Sequence, residues 1–193
     1  SEIVNAYMRG SCSKLNNRYL ETEAGEPFIR IGYAEQQFIL AEAVLRKWIT
    51  GEGAEAYYRS GIRAAMEFTA ANTPVKYRHG VKIDDAYIAS YLEGPQVKFG
   101  ASAAENLNRI YKQKYMLYFL QHEWDAFFEC RRTGVPELPV NPSTNMNTDP
   151  SKMPVRWMYP QTEYDRNNAN VMEAIARQYD GLDNENCVMW LLK

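Results

Sequence analysis

Residues 33–67 read "YAEQQFILAEAVLRKWITGEGAEAYYRSGIRAAME", and the fold turns on this stretch. Ala34, Phe38, Ala41, Leu45 and Trp48 recur three or four positions apart, which places them on one face of a helix. Glu42 and Arg46 stand in the favourable i, i+4 order, expected on the opposite side. Thr50 and Gly51 are the expected stop, since glycine takes the left-handed conformation that closes helices. A second stripe follows at Ala54, Tyr58, Ile62, Ala65 and Phe68, with Glu55–Arg59 and Arg63–Glu67 as i, i+4 pairs. The short Gly-Glu-Gly link requires antiparallel neighbours, and Ala41, Ala43, Gly61, Ala64 and Ala65 allow close approach. The pattern is a helical hairpin of the tetratricopeptide kind, closed by Pro74.

Outward from the hairpin the chain is uneven. Residues 1–32 mix short apolar pieces with Gly25 and Pro27, an irregular lead-in. Residues 74–102 are rich in Tyr, Gly and Pro, with a short helix expected around Asp85–Leu92. A long helical region spans 103–134, its stripe being Ile110, Leu117, Leu120, Trp124 and Phe127, with a bend near His122. Tyr115–Leu120 is apolar on nearly every side, which predicts deep burial. Arg131 and Arg132 at its end complement the helix carbonyls, Gly134 can cap it, and Pro136 stops it. Residues 135–193 form a surface loop and a closing segment. There "VRWMYPQTEY" reads as extended and leading to a turn, Asn168 as an N-cap to a short amphipathic helix carrying Val171, Ala174 and Ile175, and "CVMWLL" as packing back on the body. The fold class is mainly α: a helical hairpin, a long buried helix and extended loops.

Composition limits the chemistry. With 193 residues and 46% apolar content the chain can bury a sizeable core. A net charge of −2 offers no basic excess for nucleic acid. The three cysteines and two histidines lack the spacing of a zinc site or disulfide framework, and no glycine-rich phosphate loop is present, so no cofactor is expected. His79 lies in a polar loop and His122 within a helix, which disfavours a serine-type triad. Asp84–Asp85 and Glu123–Asp125 are the nearest carboxylate pairs a glycosidase could use, but such pairs are ordinarily caps or solvated faces. Aromatic side chains are the remaining means of binding, because flat rings stack on sugars. Tyr77, Tyr87 and Tyr91 are the expected exposed candidates, whereas Trp48, Trp124, Phe127 and Phe128 are assigned to the core. The sequence opens at Ser1 without an initiator Met or a signal segment, which suggests an upstream portion.

Three segments, in order, resemble the C-terminal portion of the SusD/RagB family of outer-membrane nutrient-binding lipoproteins of Bacteroidetes. The first is the hairpin at 33–67. The second is "IYKQKYMLYFLQHEWDAFFECRRTGVPEL" at 110–138, with the Arg-Arg-Thr-Gly-x-Pro ending. The third is "PVRWMYPQTEYDRNNANVMEAIA" at 154–176, with its Tyr-Pro-x-x-Glu-Tyr core, followed by Gly181 and Asp183-Asn184. Trp157 and the ending "VMWLLK" depart from the family pattern. The resemblance implies an α-α superhelical fold, with residues 1–193 forming the C-terminal part of a single longer domain. It further implies a non-catalytic protein, lipid-anchored at the cell surface, that captures an oligosaccharide or peptide above a SusC-like TonB-dependent transporter. No residue here matches the family's lipidated cysteine. A tetratricopeptide-type interaction scaffold and a helical carbohydrate-active enzyme are the alternatives.

Overall fold

The computed structural model describes residues 2–23 and 25–192, so the lead-in and closing segment are covered apart from positions 1, 24 and 193. Among the described residues there are helices and loops and no strand. The chain divides into two compact units, Ser1–Ala126 and Phe127–Lys193.

The first unit is built on α3 (Tyr33–Leu45) and α4 (Ala54–Asn72), which pack along each other as the hairpin pattern requires. Phe38 and Ala41 of α3 and Tyr58 and Ile62 of α4 are fully buried. The helices meet at Gly61, where a Cβ would lie 2.7 Å from the Phe38 ring. Short helices α1 (Glu2–Met8) and α2 (Arg18–Glu21) lie in the lead-in. Beyond a 3₁₀ turn at Val75–Tyr77 come α5 (Asp85–Leu92) and α6 (Ala103–Leu117). Helix α6 packs on α3 and α4, and α5 on α4.

The hairpin departs from expectation at two places. Helix α3 ends at Leu45 rather than at Thr50–Gly51, because the chain turns left-handed at Lys47 (φ 60°). Trp48 therefore leaves the helical register and is exposed, with the Arg46 guanidinium 5.3 Å from its ring centre. Glu42 is not on a solvated face. It is buried, and its Oε1 accepts from Arg46 Nε at 2.8 Å and from the Tyr111 hydroxyl at 2.9 Å, which ties α3 to α6.

The region expected as a long helical stretch with a bend near His122 is two helices, parted at that bend. Helix α6 stops at Leu117, Leu120 takes φ 56°, and α7 begins at Asp125 (Asp125–Thr133). His122 lies in this break, with Nδ1 2.6 Å from the Asp125 carboxylate. The deep burial expected for 115–120 is overturned: Tyr115, Met116, Phe119 and Leu120 are exposed, and of this stretch only Tyr118 is buried, its hydroxyl donating to Glu35 at 2.8 Å. The helix ends and the chain turns there, so a single buried face cannot hold every apolar residue. Trp124 is likewise exposed rather than core.

The second unit begins within α7. Phe127 and Phe128 form an aromatic cluster with Trp157, ring centres 5.3–5.7 Å apart, but Phe128 and Trp157 stay partly exposed, against the core assignment for Phe128. The arginines do more than complement the helix end. Arg131 donates to the Val155 carbonyl at 2.9 Å and lies over both phenylalanine rings, while Arg132 makes two bonds to Glu129. Gly134 caps the helix as expected, with φ 70° and its N–H on the Cys130 carbonyl at 2.7 Å. Where the sequence reads extended, α8 (Gln161–Arg166) forms after Pro160, and α9 (Asn168–Tyr179) has Asn167, not Asn168, at its N-cap. Val171 and Ile175 are buried as expected. The terminal "CVMWLL" packs back only in part: Val188, Trp190 and Leu191 are exposed, whereas Cys187, Met189 and Leu192 are half-buried and Met189 Sδ lies 4.0 Å from Arg131 Nη1.

Candidate functional site

Helix α5 exists because Asp84 caps it and two leucine-class residues anchor it. The Asp84 carboxylate accepts the Tyr87 N–H at 3.1 Å, and Ile88 and Leu92, one turn apart, are buried. Arg63–Asp85 (2.6 Å) and Arg59–Glu93 (3.2 Å) fasten both ends of α5 to α4; being exposed, they steer more than they stabilise. With Ile88 and Leu92 inward, Tyr87 and Tyr91 share the neighbouring face.

Both tyrosines line a cleft of about 390 Å³ bounded by α4, α5, α6 and the lead-in, a volume in the range of small-ligand sites. Its floor is apolar, from Phe38, Ile62, Ala65, Phe68 and Leu117. Tyr87, Met116 and Phe119 are its exposed members. The Tyr91 hydroxyl is held by Gln113 Nε2 at 3.1 Å. The polar corner is a buried knot. Arg18 Nη2 lies 2.6 Å from Glu26 Oε2, Arg18 Nη1 donates to the Asn72 carbonyl at 3.0 Å, and the guanidinium sits 4.4 Å from the Tyr19 ring centre and bonds its hydroxyl. Burial, reinforced by the Glu26 carboxylate, pushes the Tyr19 phenol above its ordinary value, so it stays protonated. Gln121 donates to Glu26 Oε1 at 2.6 Å and accepts from the Ile29 N–H at 2.9 Å, fixing the 26–29 loop against the turn after α6.

The three candidate tyrosines separate. Tyr87 and Tyr91 share the cleft and lie on a helix rather than in a loop. Tyr77 is buried instead of exposed, its hydroxyl donating to Glu21 at 2.9 Å, and it lines an adjoining cavity of about 400 Å³. The two cavities have Arg18, Tyr19, Thr69 and Ile83 in common. Among the carboxylates weighed for catalysis, Asp84 is a helix cap that lies 3.2 Å from Lys82, Asp85 pairs with Arg63, and Asp125 pairs with His122. Among the described residues, no three His, Cys, Asp or Glu side chains gather where they could hold a metal ion, and no helix is long and apolar enough to cross a membrane.

The Arg18–Glu26–Gln121 knot and the exposed Met116 and Phe119 carry no usable signal in the sequence. Arg18 and Glu26 lie in an aperiodic lead-in, and a run that is apolar on every side does not say which residues face out.

The third motif resolves into a second buried knot in the other unit. Asp183 Oδ1 lies 2.5 Å from Arg156 Nη1, while Oδ2 accepts from the Tyr164 hydroxyl at 2.5 Å and the Tyr159 N–H at 3.0 Å. The Arg156 guanidinium stacks 4.2 Å from the Tyr179 ring centre. Burial pushes the Asp183 carboxyl up, but the bonds from Tyr164 and Arg156 outweigh it and hold the group below its ordinary value of 3.8. This arrangement staples 156–164 to 179–184 and is scaffold.

Comparison with known proteins agrees with this architecture. A SusD-like family model, described as starch-binding and associating with the outer membrane, matches residues 3–160. A SusD homolog from Bacteroides fragilis superposes with a TM-score of 0.89 at 46% identity, covering 100% of this chain and 41% of that one. A second B. fragilis SusD homolog gives 0.83 at 40% identity, covering 97% and 40% respectively. A candidate outer-membrane nutrient-binding protein from Bacteroides vulgatus gives 0.83 at 36% identity, covering 98% and 40%. The chain thus spans about two fifths of the length of the structures it matches. Comparison with curated proteins gives no match. With a family match over most of its length and a relative 46% identical along all of it, this chain belongs to the SusD-like family.

Proposed function

We propose that this chain is part of a non-catalytic, cell-surface binding protein for nutrient uptake, which takes up an oligosaccharide, or a peptide, and passes it to a SusC-like TonB-dependent transporter. The observation that carries the reading is the match of residues 3–160 to a family described as starch-binding and associating with the outer membrane. The cleft beside α5 supports it. Tyr87 and Tyr91 offer aromatic rings, and the Gln113 amide and Tyr91 hydroxyl offer hydrogen-bonding groups, the mixture that a sugar with one apolar face and several hydroxyls requires. The C-terminal position of this chain within one longer domain, and a lipid anchor outside it, belong to the same proposal.

Titration of the chain with a panel of oligosaccharides tests the site. Tyr87→Ala is expected to weaken binding by about two- to tenfold, the worth of one stacked ring. Unchanged affinity in Tyr87→Ala and Tyr91→Ala alike would place the ligand elsewhere.

A second reading, a tetratricopeptide-type peptide-binding scaffold, draws on the exposed apolar side chains Phe28, Ile31, Tyr33 and Phe119. Affinity for an extended peptide with no response to any glycan would favour it.

A further inference from the structure

We infer that the cleft beside α5 selects neutral over acidic oligosaccharides, and that Glu26 is the residue that sets this preference. The inference rests on the cleft being the ligand site proposed above. Among the described residues lining it, Arg18 is the only cation and Glu26 the only anion. They are paired at 2.6 Å, and both side chains are less than a tenth exposed. Arg18 is further committed to the Asn72 carbonyl and to the Tyr19 hydroxyl and ring. The charges flanking α5 are also paired, though at the surface, Lys82 with Asp84 and Arg63 with Asp85.

A uronate or sulfate entering this cleft would need a cation. Drawing Arg18 away would strand the Glu26 carboxylate in a buried position, and leaving the pair intact would strand the ligand's own anion. A neutral sugar faces neither cost: its hydroxyls can bond the Gln113 amide and Tyr91 hydroxyl, and its apolar face can lie on the Tyr87 ring. Glu26 is thus a specificity residue, acting by neutralising the one cation among the described residues that line the cleft.

The test titrates the chain with neutral oligosaccharides (malto-, xylo- and manno-series) and with oligogalacturonate of matched length. The wild type is expected to bind a neutral series at least about tenfold more tightly than the uronate. Glu26→Gln keeps an acceptor for Gln121 but leaves the Arg18 charge uncompensated, so it should narrow or reverse that ratio. The double variant Arg18→Gln/Glu26→Gln, with both charges gone, should restore the neutral preference. Tighter uronate binding by the wild type would overturn the inference while leaving the binding site in place. A folded Glu26→Gln with unchanged selectivity would remove Glu26 from the role. Should Glu26→Gln not fold, Arg18→Gln, which leaves the Glu26 charge alone in the cleft, should widen the neutral preference, and an unchanged ratio would remove the pair from the role. Binding of no glycan at all would overturn the glycan arm of the proposed function, and the selectivity with it, leaving only a peptide ligand.

Discussion

An alanine at position 61 would place its Cβ 2.7 Å from Cε1 and 2.9 Å from Cδ1 of Phe38, a ring that is itself 1% exposed and would have to shift. Gly61→Ala should therefore cost about 1–3 kcal/mol in chemical denaturation, the range for overpacking a tight core. A second consequence concerns acid. The folded-state Asp183 carboxyl lies below its ordinary value of 3.8, so the native state binds fewer protons than the unfolded chain. The stability it confers is complete above the ordinary value and is lost as pH falls through the depressed one. Trp157 fluorescence should report loss of the 127–193 unit in that acidic window. Asp183→Asn should destabilise this unit at neutral pH by about 3 kcal/mol or more, because Arg156 is left buried without its counter-charge, and should flatten the acid dependence. Sequence periodicity reads single residues unevenly. It places Phe38, Tyr58 and Ile62 correctly, since a stripe on a long helix has one buried face. It misplaces Glu42 and Trp48, and composition misplaces Tyr77 as an exposed loop residue, because their positions depend on partners or turns distant from any repeating pattern.

Among the elements, α5 matters most to the proposed function because it carries Tyr87 and Tyr91 together. Its start depends on the Asp84 cap. Asp84→Ala should fray the first turn and lower the melting temperature by a few degrees. It should also weaken glycan binding, because Tyr87 lies in that turn; a drop in melting temperature with unchanged affinity would separate the tyrosine from the site. The short helix at 85–92 is legible from sequence, as are the α3–α4 hairpin and the Gly134 stop, each having a strong local device: a capping aspartate, two periodic stripes, a glycine before proline. The break between α6 and α7 is less so. A helical apolar pattern runs through 117–124, so the sequence yields a bend near His122, while the left-handed turn at Leu120 and the His122–Asp125 contact show that the helix stops there. The cleft itself was half legible. Aromatic residues in 74–102 pointed to α5, but the opposite wall comes from Arg18, Glu26 and Gln121, which meet only in three dimensions.

For the molecule as a whole, the family was readable from three ordered motifs, and the structure explains why motifs serve so well: they are scaffold. The hairpin sets the core of the first unit, the Arg-Arg-Thr-Gly-x-Pro ending stops α7 and packs on Phe127 and Phe128, and Tyr164, Asp183 and Arg156 lock the second unit. Ligand-contacting positions obey no such constraint, so no motif marks them. The proposed role in uptake is best tested by recovering the native protein from detergent-solubilised cell membranes and identifying its companions by mass spectrometry. The account predicts a longer, N-terminally lipidated protein containing this chain, co-purifying with a TonB-dependent barrel. An unlipidated protein in the soluble fraction, with no barrel attached, would contradict it.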